Sequence, residues 1–389
     1  ATKTTLTVLS TAAIRPLRVL RADALIRPSD SGPRVFILNK LIASPATTHC
    51  FPRTPLDLGF ELHDTVSRMA RLGPLFLLSL SVALAAYMFS PTLRSLFTTV
   101  TTIPTNRTSR HTDPSMMKKP RMPVYFFSHG GPDVMYNKAH PVYPTLQHIG
   151  AEITSLQPTA VLVFSAHWQS RTPSSILVNS ALSSPLIYDF SGFPLHYYSA
   201  LYPNVGSPSL ANRVCALLTS HNITCDQTER GLDHGVWAGF HVAFHPETNP
   251  LSVPLVQVSL FRSEDPDAHY HLGHAVSALR DEGVVIIGAG MSVHNLYHMD
   301  SGPESLPYAV SFDDALKEAV ESKVDERQEN MAQLCRRPDA KQAHPWMDHL
   351  MPVHVAVGAA GDDIGKQLWT MKEGSFAWAQ YRFGSVPKS

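Results

Sequence analysis

Residues 124–132 read VYFFSHGGP, which is four consecutive apolar side chains followed by serine, histidine, two glycines and proline. The apolar run predicts a buried strand over Val124–Phe127, and the glycines and proline predict the turn that ends it. The pattern returns in VLVFSAHWQ at 161–169 and in VVIIGAGMSVH at 284–294, again with a histidine after the apolar run. Three predicted strands that each end beside a histidine therefore dominate this part of the chain.

Strands and helices alternate through the rest of this region. Besides Val124–Phe127, the predicted strands are Ala160–Phe164, Ile176–Val178, Leu255–Leu260 and Val284–Ile287. The predicted helices are Tyr143–Leu156, Ser209–Ser220, Asp267–Arg280 and Phe312–Val324. This alternation predicts an α/β fold, with a single catalytic domain over residues 122–389 and a central, mostly parallel sheet flanked by helices.

The first 121 residues differ from the rest of the chain in composition and in hydrophobic pattern. Residues 1–71 are rich in Thr, Ser, Arg and Pro, which predicts a disordered or targeting leader. The segment 72–93 opens with eighteen uncharged residues, LGPLFLLSLSVALAAYMF, and a membrane anchor is one interpretation of it. Residues 94–121 read as a polar linker. We expect a cytoplasmic protein, with membrane anchoring or mitochondrial import through this extension as the alternatives.

Composition narrows the classes of partner. The 32 basic and 32 acidic residues give a formal net charge of zero, which argues against a general electrostatic affinity for nucleic acid. The four cysteines form no CxxC pair, so a thiolate zinc site is not expected. We expect Cys215 and Cys225 to remain unpaired, in keeping with a reducing compartment.

Three histidines, His129, His167 and His294, lie just past the predicted carboxyl ends of their strands. In an open parallel sheet these ends share one edge, which is where ligands bind. A single histidine in such a place is more often a hydrogen-bonded core group, so it is the repetition that indicates a shared site. Neutral imidazoles suit both Zn²⁺ and Fe²⁺. The sequence therefore predicts one site for a divalent metal and does not choose between the two ions.

Other residues are candidates for this site. His234, in GLDHGVW, is predicted either as a fourth ligand or as a general acid and base. Asp233 is a candidate to orient it, although adjacent side chains on an extended segment usually point apart. His349, in MDHLMPV, is expected to begin a helix that faces the site, and Tyr188 is a candidate for an aromatic wall around the substrate.

Five motifs occur in a family's order: SHGGP, SAHW, YDFSGFP, LDHGVW and MSVHN. In these motifs the chain resembles the type III (LigB-like) extradiol ring-cleavage dioxygenases, and in particular their 4,5-DOPA dioxygenase branch. The resemblance extends from about residue 123 to about residue 361, or at its furthest to residue 383, and leaves residues 1–121 uncovered. One departure is HGGP, where many members have HGSP, and it leaves the histidine intact.

The resemblance implies a function and a set of site residues. It implies a non-haem dioxygenase that opens a DOPA-like catechol with dioxygen, with Fe(II) as the expected ion and Zn(II) as the alternative. His129, His167 and His294 match metal-binding histidines, and His234 matches the acid–base histidine, which is sometimes given as a ligand too. His349 matches a histidine near the substrate pocket. A zinc-dependent hydrolase or lyase on the same histidines is the alternative function, and the oligomeric state is left open.

Overall fold

The computed structural model describes residues 120–386, so almost the whole N-terminal extension lies outside the described part. The predictions for the leader, for the hydrophobic segment at 72–93 and for most of the linker fall on residues that are not described. Within the described part, every helix is too short or too polar to cross a bilayer.

The fold is a mixed α/β arrangement, as predicted, with a large sheet between layers of helices. The strands are β1 Val124–Ser128, β2 Ala160–Gln169, β3 Ser175–Asn179, β4 Thr224–Thr228, β5 Leu255–Leu260, β6 Val284–Gly290, β7 Val293–His294, β8 Gly365–Trp369, β9 Lys372–Glu373, β10 Phe376–Ala377 and β11 Gln380–Phe383. The predicted strands are all present, and several extend further than the apolar runs that predicted them.

Eight strands form the large sheet in the order β4-β3-β5-β2-β6-β1-β11-β8, and β7-β10-β9 form a small sheet. Neighbours in the block β5-β2-β6-β1 pair in parallel. Their residues are buried almost throughout because helices cover both faces, which explains why these strands read as continuous apolar runs. Strands β11 and β8 complete one edge by antiparallel pairing.

The helices are α1 Val142–Ser155, α2 Pro208–Ser220, α3 His234–Ala243, α4 Pro266–Val276, α5 Pro307–Val320, α6 Val324–Leu334, α7 Ala340–Ala343 and α8 Met351–Ala360. Short 3-10 segments lie at Pro132–Met135, Leu195–Ser199, Ser277–Glu282, Leu296–Ser301 and Met347–His349. The predicted helices correspond to α1, α2, α4 and α5. The helix expected to begin at His349 is α8, which starts at Met351 directly after a 3-10 segment that ends at His349. Its residues are buried on every side, which leaves no helical period of polar positions to mark its extent.

Two expectations need correction. Cys215 and Cys225 form a disulfide, with their Cα atoms 5.3 Å apart. Helix α2 ends at Ser220 and the chain turns back at once into β4, so the two cysteines meet although they are ten residues apart. The strand β2 also continues through Gln169, so His167 lies within the strand, beyond a register shift that follows Phe164.

Candidate active site

The carboxyl ends of three parallel strands supply the floor of the site. Strand β6 lies between β1 and β2, so the ends of all three are neighbours. His129 follows β1 directly, and its backbone N–H donates to the carbonyl oxygen of Gly290 at the end of β6, at 2.9 Å. His167 projects from the last part of β2. The predicted convergence at one sheet edge is therefore observed for His129 and His167.

His349 reaches the same edge from a different direction. It ends the 3-10 segment that leads into α8, and its carbonyl oxygen accepts a hydrogen bond from the N–H of Met291 at 3.0 Å. This close approach depends on glycines in β6. A Cβ at Gly290 would lie 2.2 Å from the His349 carbonyl oxygen, and one at Gly288 would lie 2.2 Å from that of Pro352. The GAG run thus makes room for the segment that carries His349.

Three imidazoles meet at this edge. His129, His167 and His349 form a group whose potential ligand atoms all lie within 4.8 Å of one another. The Nε2 atoms of His167 and His349 are 3.1 Å apart. The ring centroids are 5.2 Å apart for His129 and His167, 5.4 Å for His129 and His349, and 4.9 Å for His167 and His349. The three rings are therefore close enough for one small ion to contact all of them.

The outer nitrogen of each ring has an acceptor. Nδ1–H of His129 donates to the carbonyl oxygen of Gly130 at 2.7 Å. Nδ1–H of His167 donates to Asp189 at 2.8 Å, and Nδ1–H of His349 donates to Asp348 at 2.9 Å. These bonds fix the tautomer that leaves the Nε2 lone pair free. In its neutral form, each of the three histidines therefore presents an unprotonated nitrogen to the centre of the cluster.

This arrangement fits a divalent metal ion. Two nitrogens bound to one ion at ordinary Zn–N distances lie roughly 3.0–3.4 Å apart, which matches the His167–His349 spacing. The Nε2 atom of His129 is buried, and the described residues offer it no hydrogen-bond partner. A buried nitrogen without a partner and two lone pairs facing each other are unfavourable without a cation. The donor set is all imidazole, which accommodates both iron and zinc.

The surroundings favour the neutral form of two of the three rings. Burial, together with the neighbouring imidazoles, lowers the pKa of His129 and of His349 well below the ordinary value. The pKa of His167 is raised instead. Burial alone would lower it, but the hydrogen bond to Asp189 and the nearby charge of Asp233 together have the larger effect. Neutral rings are the form that binds a metal, and binding would displace the proton that His167 favours.

His234 lies beside the cluster as the first residue of α3. Its ring centroid is 4.1 Å from that of His167. Its Nδ1–H donates to Asp189 at 2.9 Å, and its backbone N–H donates to the same carboxylate oxygen at 3.0 Å. Burial lowers the pKa of His234 in spite of this bond. His234 is thus held as a neutral imidazole with Nε2 available to a proton.

A second group of potential ligands contains His167, Asp189 and His234. These three residues are close together because Nδ1–H of His167 and Nδ1–H of His234 both donate to the carboxylate of Asp189. Occupation of this group by an ion would require both hydrogen bonds to break. The group of His129, His167 and His349 needs no such change.

Asp233 does not orient His234. Its buried carboxylate accepts hydrogen bonds from Ser165 at 2.6 Å, from Arg230 at 2.7 Å and from Gln257. The side chain therefore points away from its neighbour in the sequence, as adjacent side chains on an extended segment do. Asp233 secures the start of α3 against β2 and β5, while Asp189 contacts the imidazole of His234.

His294 also comes to this edge of the sheet, where it packs on a candidate ligand. It ends β7, and its ring stacks on that of His349 with centroids 3.7 Å apart and an angle of 10° between the planes. Neither group of potential ligands contains it. Burial lowers its pKa to about 3, so the ring is neutral near pH 7. The structure brings His294 to the site, next to a candidate ligand.

Aromatic side chains form a wall beside His234. The ring of Phe190 lies 5.5 Å from that of His234, edge to face, and 4.9 Å from that of Tyr198. Tyr188 lies one layer behind, against Trp237, and its hydroxyl donates to the carbonyl oxygen of Ala200 at 2.7 Å. The aromatic wall was predicted, but Phe190 and not Tyr188 is the member that contacts a site histidine.

Two carboxylates of the site were missed at the sequence level. Asp189 lies within YDFSGFP and Asp348 directly precedes His349, yet neither stands at a recognisable metal-ligand spacing. Asp189 meets imidazoles 22 and 45 positions away along the chain. The one available signal was an acidic residue inside a motif that otherwise consists of aromatic residues, serine, glycine and proline.

A histidine cluster that can hold one ion, at the carboxyl edge of an α/β sheet and beside an aromatic wall, defines a candidate metal-dependent enzyme. Residues 123–384 match the family described as the catalytic LigB subunit of aromatic ring-opening dioxygenase. The chain belongs to this family of LigB-like type III extradiol dioxygenases, and it is an extradiol ring-cleaving enzyme.

Individual relatives agree with this assignment. The 4,5-DOPA dioxygenase extradiol of Beta vulgaris is 36% identical over 268 residues, which cover 68% of this chain and 97% of the relative. The protein of the same name from Escherichia coli K12 is 32% identical over 253 residues, 63% of this chain and 87% of the relative. The crystal structure of an uncharacterized Escherichia coli K12 protein matches with a TM-score of 0.55 and 26% identity, over 68% of this chain and all of that one.

Proposed function

We propose that this chain opens the ring of a DOPA-like catechol with dioxygen, at a divalent ion bound by His129, His167 and His349. Fe(II) is the expected ion for this reaction, whereas Zn(II) can occupy the same imidazole donors without supporting oxygen consumption. The observation that carries the proposal is the convergence of three Nε2 atoms whose outer ring nitrogens are each anchored by an acceptor. His349 takes the place that the sequence suggested for His294, because His294 stacks on it from outside the group.

When bound, the ion would hold the catechol oxygens and make dioxygen reactive toward the ring. The protein contributes the charge balance. Three neutral imidazoles leave the full +2 charge at the site, whereas a carboxylate ligand would reduce it to +1. An all-imidazole site therefore favours an anionic catecholate over a neutral phenol.

His234 is the proposed general base and acid. Its Nδ1–H is committed to Asp189, so Nε2 carries the lone pair that can take a proton from a catechol hydroxyl. The lowered pKa keeps the ring neutral before the substrate arrives, and the carboxylate then stabilises the imidazolium that forms. The same proton can return to an oxygen atom when the ring opens.

The aromatic wall supports an aromatic substrate. Phe190 presents its ring to the space beside His234, and Phe193 continues the wall with its ring centroid 5.3 Å from that of Phe190. Offset or edge-to-face packing on such rings favours a flat ring over an aliphatic diol. The names of the curated relatives suggest DOPA as the first catechol to test.

The test is oxygen uptake by defined metal forms. Protein loaded anaerobically with Fe(II) is mixed with L-DOPA and then with air, and it should consume one dioxygen per catechol and form a yellow ring-opened product. Protein loaded with Zn(II) is the control and should consume none, because zinc has no redox chemistry. Full iron loading with no oxygen uptake across a panel of catechols would contradict the proposal.

A further inference from the structure

One carboxylate contacts two functional imidazoles at once. Oδ2 of Asp189 accepts from Nδ1 of His167 at 2.8 Å, and Oδ1 accepts from Nδ1 of His234 at 2.9 Å. Oδ1 also accepts from the backbone N–H of His234 at 3.0 Å. The centroids of the two rings are 4.1 Å apart. Asp189 therefore links a proposed metal ligand to the proposed acid–base residue.

We propose that Asp189 is a positioning residue that fixes both imidazoles in the Nδ1–H tautomer, and so couples metal affinity to proton transfer. This inference rests on the proposed function of the same site. The outer nitrogen of a metal-bound histidine commonly donates to a carboxylate, and that acceptor orients the ligand. Asp189 provides this for His167, and its second oxygen provides the same for His234, which is the proposed acid–base residue.

The segment that carries Asp189 is held firmly against α3. The N–H of Ile187 donates to the carbonyl oxygen of Leu232 at 2.7 Å, and that of Leu232 donates back to Pro185 at 2.9 Å. The indole N–H of Trp237, on α3, donates to the carbonyl oxygen of Ile187 at 3.1 Å. These bonds fix Asp189 relative to the helix that begins with His234. The carboxylate is therefore preorganised for both imidazoles.

Asp348 offers a comparison within the same site. It accepts Nδ1–H of His349 at 2.9 Å and the backbone N–H of the same residue at 2.7 Å, but it contacts one imidazole only. Loss of Asp348 should therefore disturb a ligand and leave His234 in place. Loss of Asp189 should disturb both. This difference separates a coupling role from ordinary support of a ligand.

The experiment compares Asp189→Asn with Asp348→Asn, and an exposed position on β4, Asp226→Asn, controls for the substitution itself. Asparagine keeps one acceptor oxygen, so at most one of the two rings retains its partner. Zn(II) affinity, measured by chelator competition, should fall roughly 10–100-fold in Asp189→Asn. It should fall less in Asp348→Asn, because one amide oxygen can still accept both hydrogen bonds that Oδ1 of Asp348 accepts from His349. At saturating Fe(II), kcat for L-DOPA should remain roughly 100-fold or more below wild type in Asp189→Asn alone. Asp348→Asn should recover to within a few-fold once the ion is bound.

A measurement on the unaltered protein does not depend on the folding of any variant. Nitrogen-15 NMR of the Zn(II)-loaded and metal-free chain should find His167 and His234 protonated at Nδ1, with the signals assigned through His234→Gln. Protonation of His234 at Nε2 would overturn the inference. It would also be overturned if saturating metal restored kcat in Asp189→Asn. Failure of the wild type to bind metal or consume oxygen would instead contradict the proposed function, and the tautomers of the metal-free protein would still decide the role of Asp189.

Discussion

The imidazoles of His294 and His349 lie face to face, 3.7 Å apart and within 10° of parallel. Both residues are near the same sheet edge, but only His349 belongs to the group with His129 and His167. A ring stacked on a proposed ligand restricts the ligand's rotation and excludes water from its face. His294 therefore has a defined structural relationship to the proposed metal site without being one of its proposed ligands.

The first prediction separates these two histidines. His349→Ala should lose nearly all affinity for Zn(II), because two imidazoles remain where three are needed. His294→Ala should weaken the affinity by roughly tenfold, as expected for a residue that supports a ligand. Isothermal titration of each variant checks the order. A variant at His294 that binds less tightly than one at His349 would reverse the assignment.

The second prediction concerns His234. His234→Gln should bind Fe(II) with nearly wild-type affinity and lower kcat for L-DOPA by about 10²–10⁴, the range for loss of a general acid–base group. Metal content and oxygen uptake are measured on the same sample. His148→Gln, at an exposed position on α1, is the control and should show neither change. Loss of metal together with kcat would instead make His234 a ligand.

The centre of the large sheet could be predicted from the sequence because β1, β5, β6 and the first half of β2 read as apolar runs. Strand β4, which is polar and partly exposed, was not predicted. The apolar runs at Val124–Phe127 and Val284–Ile287 mark β1 and β6, and both strands continue into small residues. The positions of His129 and His167 at the carboxyl edge followed from this. An edge that collects strand ends is a property of the topology, and the topology was visible in the pattern.

The role of His349 could not be predicted in the same way. Its segment leads into a helix, and it reaches the edge because Gly288 and Gly290 let the backbone pack directly on β6. The glycines were visible in the sequence, and a helix beginning at His349 was expected to face the site, but the pattern did not show that these glycines let His349 join the group of potential ligands. Asp189 was missed for a related reason, since its partners are distant along the chain and no local spacing relates them.

The third prediction tests how α8 packs against α4. A Cβ at Gly358 would lie 1.9 Å from the carbonyl oxygen of Tyr270 on α4, so the helices would have to separate. Gly358→Ala should cost about 2 kcal/mol or more of unfolding free energy, even though alanine favours helix by about 1 kcal/mol. Urea denaturation measures the change.

Gly239→Ala is the matched control for this experiment. It is also a buried helical glycine, but its Cβ would meet the nearest atom at 3.5 Å, which is an ordinary contact. Its unfolding free energy should stay within about 1 kcal/mol of wild type. Equal losses of unfolding free energy in the two variants would show that the close packing of α4 on α8 does not depend on Gly358.

The fourth prediction concerns pH. His269 is buried on α4, and burial lowers its pKa from 6.5 to about 4. The unfolded chain therefore binds a proton on this side chain between these values while the folded chain does not. The associated stability is complete above about pH 6.5 and is lost as the pH falls toward 4, by up to about 1.4 kcal/mol per pH unit.

This dependence is checked by urea denaturation of wild type and His269→Gln from pH 7 to pH 4. The variant should lose stability less steeply on acidification, because it lacks the group that protonates on unfolding. His271→Gln, at an exposed position on the same helix, is the control. Identical slopes for wild type and His269→Gln would contradict the assignment of this loss to His269.

The location of the ion itself tests the account most directly. Crystals grown with Zn(II), or anaerobically with Fe(II), should give one strong anomalous peak within about 2.0–2.2 Å of the Nε2 atoms of His129, His167 and His349. The same map should leave Asp189 bridging His167 and His234 without metal. A peak bonded to His294 in place of His349, or one between Asp189 and His234, would contradict the account.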